Sequence, residues 1–389
     1  MSDTAEFRAW VAAELGARLE PRTPDTQASV LGAGSDDLEA GRRYLAALAG
    51  TGLAVPRWPR AYGGLDATPA EVAIVRRELA AFEVPDLYPY LVGVELVGPT
   101  LVEHGTPEQC ARWLPAIANG SEIWCQLFSE PDAGSDLAGL TAVATRDGDL
   151  WSVSGQKVWT SRGHYSKWGL LLARHDSSVP KHRGITAFGI DIHASGVNVR
   201  PLRQMNGDAH FTEVFLDDAV IPDTDRIGDT GEGWGVAVTC LGHERGAVGG
   251  GGGMFDPNRL VALALERDRL GDPFIRNAIA ALVVEARVMG WTARRGVHGS
   301  GMKLRGSRLF RMYVDVAARI LGPEITCDPN GEWQTLFLTA PSMSIRGGTD
   351  EIQRNIIGER VLGLPVEPRV DRDIPFDALP RSSRADVKS

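Results

Sequence analysis

Three short segments combine hydroxyl, aromatic or glycine residues in patterns that could hold a polar cofactor. The first, 127–136 (LFSEPDAGSD), ends an apolar run with turn-forming residues and with the hydroxyls of Ser129 and Ser135. Hydroxyls and free backbone N–H groups in such a turn can bind a phosphate or the polar edge of an aromatic ring system. An ordinary surface turn uses the same residue types, so this segment alone leaves both interpretations open.

The second segment, 155–161 (GQKVWTS), ends a predicted strand with Trp159 and the hydroxyls of Thr160 and Ser161. A tryptophan at a strand end either packs in the core or presents its ring as a stacking surface. The two hydroxyls favour a ligand, because they add hydrogen-bonding groups beside the ring.

The third segment, 344–354 (SIRGGTDEIQR), places two glycines before a predicted helix start. Asp350 and Gln353 have the spacing of a capping box. A helix N-terminus behind two glycines can bind an oxyanion or a pyrophosphate, and an ordinary capped helix has the same sequence. Both interpretations stay open on these residues alone.

The elements that must position these segments fall into three stretches. Residues 1–120 show apolar residues at helical spacing, with Thr68-Pro69 and Thr106-Pro107 as helix starts. Residues 121–230 hold seven short runs rich in β-branched and aromatic residues, which predict a β-sandwich or barrel. Residues 231–389 return to long helical patterns, which predict an antiparallel bundle. The C-terminal helices are predicted over Trp234–Val248, Asn258–Arg269, Phe274–His298, Ser307–Leu321 and Asp350–Leu362.

Composition excludes several classes of protein. The 389 residues are 43% hydrophobic and 23% charged, which is typical of a folded globular chain, and the net charge is −9 without a basic stripe. Nucleic acid and anionic membranes are therefore not expected as partners. The four cysteines lack zinc-site spacing, so no metal is expected. The N-terminus does not have the pattern of a signal peptide, and apolar runs such as Gly169–Ala173 are too short to span a bilayer. We expect a soluble, cytoplasmic protein.

Taken together, the three segments resemble the acyl-CoA dehydrogenase family. FSEPDAGSDL is similar to the family's flavin loop, GQKVWTSRG to its second flavin strand, and GGTDEIQRNIIGERVLGLP to its C-terminal signature helix. The stretches RQMNGDAHFTEVFLDDAVIP and GEGWGVAVTCLGHER follow in family order, so the resemblance covers nearly the whole chain. It implies an α+β fold with an N-terminal helical domain, a central β-sandwich or barrel domain and a C-terminal four-helix bundle.

The resemblance also implies FAD and a reaction. Family members remove the α-hydrogen of an acyl-CoA thioester as a proton, and the β-hydrogen leaves as a hydride to the flavin. The residues at matching positions divide into flavin contacts on the loop and strand, contacts from the signature helix, and an arginine that reaches the FAD of a neighbouring subunit. These are Gln126, Phe128, Ser129, Ser135, Trp159, Thr160 and Ser161; Thr349 and Glu351; and Arg267. The match at Arg267 is weaker, because Leu270 replaces the family's usual aromatic residue.

The catalytic base departs from the commonest family pattern. Many members carry a Glu directly before the Gly-Thr of the signature helix, where this chain has Gly347. A subset, isovaleryl- and long-chain-type enzymes among them, carries the base on the first helix of the C-terminal bundle, and Glu244 occupies that position. The chemistry needs one carboxylate near the α-carbon in a site dry enough to raise its pKa. The alternative is that Glu244 only pairs with Arg245 or with a lysine.

The resemblance implies further substrate contacts. The backbone N–H of Gly347 would donate to the thioester carbonyl, as in an oxyanion hole, which requires no side chain. Ser135, Arg245 and Gly348 would contact the acyl-CoA.

The five glycines of 249–253 follow Glu244 by about one turn. Either they leave room for a bulky, branched, cyclic or steroid-like acyl group, or they form a loop that has no bearing on the substrate.

The implied partners are acyl-CoA and an electron-transfer flavoprotein, in a homodimer or homotetramer, with a heterotetramer as an alternative. Two competing functions stay open at this point. One is a non-catalytic or half-site subunit that completes a relative's active site, and the other is a flavin oxidase or N-oxygenase of the same fold that uses O₂.

Overall fold

The computed structural model describes residues 2–23, 36–249, 256–297, 299–327, 331–368 and 371–380, without the side chains of residues 2–3 and 245–249. The N-terminal part is helical, as predicted. A π-helix, Val92–Val97, joins the fourth and fifth of its six α-helices. These are α1 (Ser2–Gly16), α2 (Leu38–Ala49), α3 (Pro69–Leu79), α4 (Tyr88–Leu91), α5 (Gly98–His104) and α6 (Pro107–Ala118).

The predicted start signals of α3 and α6 are confirmed. The Thr68 hydroxyl accepts a hydrogen bond from Glu71 N, and the Glu71 carboxylate accepts one from Thr68 N, which forms a capping box. Thr106 and Gln109 form the same arrangement at α6. The Gln109 side chain also donates to Thr224 O and thereby ties α6 to the strand domain.

The middle part forms one sheet of eight strands. Seven follow the predicted runs, and the eighth, a two-residue strand, was not predicted. The strands are β1 (Trp124–Leu127), β2 (Val143–Asp147), β3 (Leu150–Ser161), β4 (Trp168–Arg174), β5 (Ile185–Asp191), β6 (Val197–Leu202), β7 (Phe211–Pro222) and β8 (Arg226–Ile227). Their order is β6-β7-β3-β2-β4-β5-β8, and β1 lies parallel to β4.

The two halves of the sheet share one core, as in a sandwich. A single residue pair, Val143 with Arg174, joins β2 to β4. Side chains from both halves then pack together, and the rings of Trp151 on β3 and Phe188 on β5 meet edge to face at 5.1 Å between centroids.

The C-terminal part is helical and is organised around α10. That helix packs against the five other α-helices described in this part, and its buried face carries Phe310, Tyr313 and Ala317. The eight-residue helix α11 was not predicted. The helices are α7 (Gly233–Gly249), α8 (Pro257–Glu266), α9 (Pro273–Arg294), α10 (Ser300–Leu321), α11 (Glu332–Thr339) and α12 (Asp350–Ile356), which continues as a π-helix over Ile357–Val361.

Helix α7 joins the three parts of the chain. At its start, a Cβ on Gly233 would lie 2.6 Å from the Thr186 backbone, so only glycine permits this close approach to β5. Further along, Thr239 contacts His104 of α5 at 2.8 Å and His243 contacts Glu103 at 3.0 Å. The helix that carries Glu244 is therefore fixed against both neighbouring domains.

The composition of the tail after Pro365 predicts a surface arm or a frayed end, and residues 371–380 differ from that prediction. Phe376 is buried, and the Arg174 guanidinium lies 3.5 Å from the centre of its ring. Lys181 also pairs with Asp371 at 2.8 Å. Residues 371–380 are thus anchored to the strand domain by an apolar and a charged contact.

Substituting Gly98 by alanine is expected to lower the free energy of unfolding by about 1–3 kcal/mol, the usual cost of overpacking a core. The new Cβ would fall inside van der Waals contact with the ring of Trp58, which is 4% exposed and belongs to the main core. Urea unfolding measures the effect. Gly50→Ala is the matched control, because Gly50 has a helical φ of −65° and no atom within 4 Å of a new Cβ. Equal unfolding midpoints for the two variants would contradict this packing argument.

The described residues contain no candidate for a membrane span or for a metal-binding cluster. Each helix in those ranges is too short or too polar to cross a membrane, and no cluster of three or more His, Cys, Asp or Glu side chains in the described chain could hold a metal ion. The four cysteines are free thiols, three of them buried.

Candidate active site

A buried ion pair joins the two segments predicted to contact a flavin. Lys157 Nζ lies 2.8 Å from Glu130 Oε1 and donates to Phe128 O at 3.2 Å, and both charged side chains are buried. The Glu130 carboxylate also accepts from the backbone N–H groups of Thr141 and Ala142. The turn after β1 is therefore fixed to the irregular end of β3.

The same contacts keep Glu130 ionised. Burial alone would raise the pKa of this carboxyl. The Lys157 ammonium and the N–H donors of Thr141 and Ala142 outweigh burial and hold the pKa below its usual value.

Trp159 presents an accessible ring beside this turn. The register of β3 against β7 shifts between Lys157 and Thr160, and Trp159 adopts a φ of +59°, which is unfavourable for a bulky residue. Its indole is 56% exposed, with the edge of Phe211 against it at 5.7 Å between centroids. An exposed indole held in a strained conformation suits a stacking surface better than a core residue.

One predicted flavin contact on this strand, Thr160, has a buried side chain. Side chains alternate between the faces of a strand, and Thr160 lies on the face opposite Trp159 and Ser161. Its side chain is 0% exposed. The shared face carries Trp159 and the half-buried Ser161 instead.

The loop after β1 offers hydroxyls rather than an aromatic face. Ser135 is exposed and Ser129 is half-buried, so both can reach a ligand. Phe128 is only 4% exposed and its ring belongs to the core, which leaves mainly its backbone for a contact.

Cys240 links Gln126 with the predicted base. Gln126 Nε2 lies 3.8 Å from Cys240 Sγ, and Cys240 is fully buried one helical turn before Glu244. Burial raises the pKa of the Cys240 thiol, and the nearby negative charge of Glu244 raises it further. Glu244 itself is half-buried. Glu244 and Gln126 thus both lie near the Cys240 thiol. The side chain of Arg245 and the glycines at 250–253 lie outside the described residues.

The signature segment forms a tight turn and a capped helix. Gly347 and Gly348 have φ values of +67° and +79°, and Gln353 Nε2 donates to Gly347 O at 2.9 Å. The cap of α12 is Thr349, whose hydroxyl accepts from Ile352 N.

The predicted capping box of Asp350 and Gln353 is therefore wrong. Asp350 is buried, with Lys303 Nζ at 3.1 Å and Arg311 Nη2 at 3.2 Å. Burial acts to raise its pKa, but Lys303 and the other donors outweigh that effect and lower it. Glu351 is exposed and pairs with Arg354 at 3.1 Å.

Arg267 already has acidic partners within its own chain. It caps the end of α8, with Glu324 Oε2 at 2.8 Å and Glu266 Oε1 at 2.6 Å. Its side chain is 35% exposed, so a neighbouring subunit could still approach the guanidinium.

Two cavities formed by described residues lie away from this site. One, of about 560 Å³, lies between Arg112 and Arg226, and the other, of about 290 Å³, lies within the N-terminal helical core. Neither is lined by a predicted site residue.

The donor set fits FAD. An exposed indole face, the accessible hydroxyls of Ser129, Ser135 and Ser161, and a turn pinned by Lys157 and Glu130 suit an aromatic ring system with polar edges and phosphates. The fold and the site together define a flavoprotein oxidoreductase with a helical, strand and helical layout.

Comparison with known proteins specifies the family. Models of the acyl-CoA dehydrogenase N-terminal, middle and C-terminal domains match residues 3–121, 125–219 and 231–362. The chain belongs to the acyl-CoA dehydrogenase family, and it is an FAD-dependent acyl-CoA dehydrogenase.

Among curated relatives, acyl-CoA dehydrogenase IpdE1 of Mycobacterium tuberculosis is 36% identical over 95% of this chain and 100% of its own length. Acyl-CoA dehydrogenase FadE34 of the same organism is 40% identical over 82% of this chain, which spans 46% of that protein's length.

Among solved structures, the Tcur3481-Tcur3483 steroid ACAD is 25% identical with a TM-score of 0.75, covering 94% of this chain and 99% of that one. The ChsE4-ChsE5 complex from Mycobacterium tuberculosis is 27% identical with a TM-score of 0.73, covering 95% and 99%.

The groups that hold the site together were not predicted from the sequence. Lys157 and Glu130 lie inside the proposed flavin segments, and the signal available was Lys157 as the single charged residue of β3. Lys303 and Cys240 lie inside helices, and nothing in their local sequence marks their partners.

Proposed function

We propose that this protein desaturates the α,β bond of a bulky, steroid-like acyl-CoA, with Glu244 as the base that takes the α-proton. When bound, FAD supplies the acceptor for the β-hydride. The Glu244 carboxylate receives the proton, and the backbone N–H of Gly347 donates to the thioester carbonyl oxygen while negative charge develops there. Proton and hydride together account for the two hydrogens lost by the substrate.

The observation that carries the assignment of Glu244 is its place one helical turn after Cys240, whose thiol contacts Gln126. The three residues connect α7 with β1, whose following loop carries the proposed flavin hydroxyls. The signature position holds Gly347, which has no carboxylate, so Glu244 is the family position left for a base. The flavin contacts proposed on this frame are Gln126, Phe128 through its backbone, Ser129, Ser135, Trp159 and Ser161, with Thr349 and Glu351 from the signature segment. Ser135, Arg245 and Gly348 are proposed substrate contacts.

The bulky substrate is supported by the relatives. Two solved structures at 25–27% identity over nearly the whole chain are described as a steroid ACAD and as the ChsE4-ChsE5 complex.

Both names also give two components, which supports an assembly of more than one chain. We propose a homodimer or homotetramer, or a heterotetramer in which Arg267 reaches the FAD of the adjoining subunit. We further propose domain boundaries at about residues 120 and 230, an electron-transfer flavoprotein as acceptor and, from the free thiols, a cytoplasmic location.

Turnover of a polycyclic acyl-CoA is expected to exceed that of a straight-chain acyl-CoA by about tenfold or more in kcat/KM, because differential pocket contacts of 1–3 kcal/mol give such ratios. The measurement is steady-state reduction of an artificial electron acceptor by the FAD-loaded protein with each substrate. A preference for the straight chain would refute the bulky-substrate proposal and leave the family assignment intact.

A further inference from the structure

Three residues with left-handed backbone meet at the end of β3. Asp36, Trp159 and Arg162 have φ values of +45°, +59° and +52°. A residue with a Cβ is unfavourable in this region, so it persists where surrounding contacts hold it. Trp159 is the proposed flavin platform, and Arg162 follows it by three residues.

Arg162 is buried and bound from several sides. Its Nε donates to Asp36 Oδ1 at 2.8 Å, and its Cζ lies 4.0 Å from the centre of the Tyr88 ring. Its backbone N–H donates to His210 O at 2.7 Å. The side chain is 3% exposed, so the ion pair with Asp36, itself 11% exposed, is shielded from water.

His210 holds the same carboxylate from the other side. His210 Nδ1 lies 3.4 Å from Asp36 Oδ2, and its Nε2 lies 3.1 Å from Asp208 Oδ2. His210 directly precedes β7, the strand that pairs with β3. The guanidinium and the imidazole thus fix Asp36 between the N-terminal helices and the strand domain.

The backbone between Arg162 and Trp159 is paired to β7. Thr160 lies opposite Thr212 and Ser161 lies opposite Phe211, whose ring packs edge-on against the Trp159 indole. A displacement of Arg162 would therefore move the strand end that orients the indole.

We infer that Arg162 and Asp36 are positioning residues that clamp the end of β3 so that Trp159 presents its ring to FAD. The inference rests on the assignment of Trp159 to the FAD site and goes beyond the proposed choice of substrate and base. The N-terminal helical domain thereby acts in cofactor binding through Asp36 and Tyr88, neither of which is a proposed flavin contact.

The test compares Asp36→Asn with Asp37→Asn. Loss of one charge-assisted hydrogen bond corresponds to about a tenfold change in affinity. We expect Asp36→Asn to raise the Kd for FAD by about tenfold and to shift the visible absorption band of the bound flavin. Asp37→Asn is the control, because Asp37 caps α2 and asparagine caps a helix equally well. Titration of the full-length apoprotein with FAD gives the Kd, and circular dichroism verifies folding.

Arg162→Lys keeps the charge but loses the planar group that stacks on Tyr88, so a Kd between those of wild type and Asp36→Asn is expected. If Asp36→Asn does not fold, the Kd of Arg162→Lys for FAD still tests the clamp. Folded variants with the wild-type Kd and spectrum would overturn the clamp. An unchanged Kd for FAD in Trp159→Ala would overturn the assignment of Trp159 to the FAD site, on which the clamp rests. The comparison of polycyclic with straight-chain substrates depends on neither result.

Discussion

Glu244→Gln is expected to lower kcat by about 10²–10⁴-fold, the usual contribution of a general base. Glutamine has the same shape but cannot accept the α-proton, so binding of FAD and of acyl-CoA should persist. The measurement combines steady-state turnover with the FAD content of the purified variant. A loss of turnover with full FAD content assigns the carboxylate to the chemical step.

Glu103→Gln is the matched control for this substitution. Glu103 pairs with His243, the neighbour of Glu244 on α7, and its side chain is 52% exposed. The same chemical change beside the same helix should leave kcat near wild type. Comparable losses in both variants, or wild-type turnover in Glu244→Gln, would show that Glu244 is not the base.

Lys157→Met is expected to lower the free energy of unfolding by about 3–5 kcal/mol, because it leaves the Glu130 carboxylate buried without its cation. The loop after β1 should then loosen, and the variant should retain less FAD. Urea unfolding and the flavin absorbance of the purified variant measure the two effects.

Lys167→Met provides the comparison. Lys167 pairs with Asp191 near the surface, with side chains 42% and 32% exposed, and such pairs contribute about 0–1 kcal/mol. The double variant Lys157→Met/Glu130→Gln should recover part of the loss, since it removes the unpaired buried charge. Equal midpoints for Lys157→Met and Lys167→Met would contradict the importance of the buried pair.

The ion pair of Lys157 and Glu130 also predicts that the stability of the fold depends on pH. The folded pKa of Glu130 is lowered, so its contribution to stability is complete above the unfolded value of about 4.3 and is lost as the pH falls through the folded value. Without Lys157 the folded pKa should rise, so acid unfolding of Lys157→Met should begin at a higher pH than in the wild type.

The sequence predicted the features that depend on near neighbours. The caps at Thr68 and Thr106 act within one helical turn, and both are confirmed. The seven strand runs also appear as strands, because their apolar patterns match a pleated and buried surface. The segments that the family motifs assign to the flavin lie on β3 and on β1 with its following loop, where they stay a prediction.

The errors arose where distant contacts decide the structure. Asp350 has a neighbour suited to a capping box, but its carboxylate pairs with Lys303, 47 residues earlier, and Thr349 is the cap. The family resemblance assigned Thr160 to the flavin together with Trp159 and Ser161, but the folded strand buries its side chain while theirs stay accessible. The pair of Lys157 and Glu130 spans 27 residues, and only the folded sheet brings the two together.

In the proposed mechanism this chain uses FAD and Glu244 to desaturate an acyl-CoA. The most direct test mixes the FAD-loaded protein with a polycyclic acyl-CoA without oxygen, records the flavin absorbance and determines the product mass. Under this mechanism the wild-type flavin bleaches and the product is lighter by two hydrogens, and neither effect occurs in Glu244→Gln. An unbleached wild-type flavin with unchanged substrate, or equal bleaching in Glu244→Gln, would contradict it.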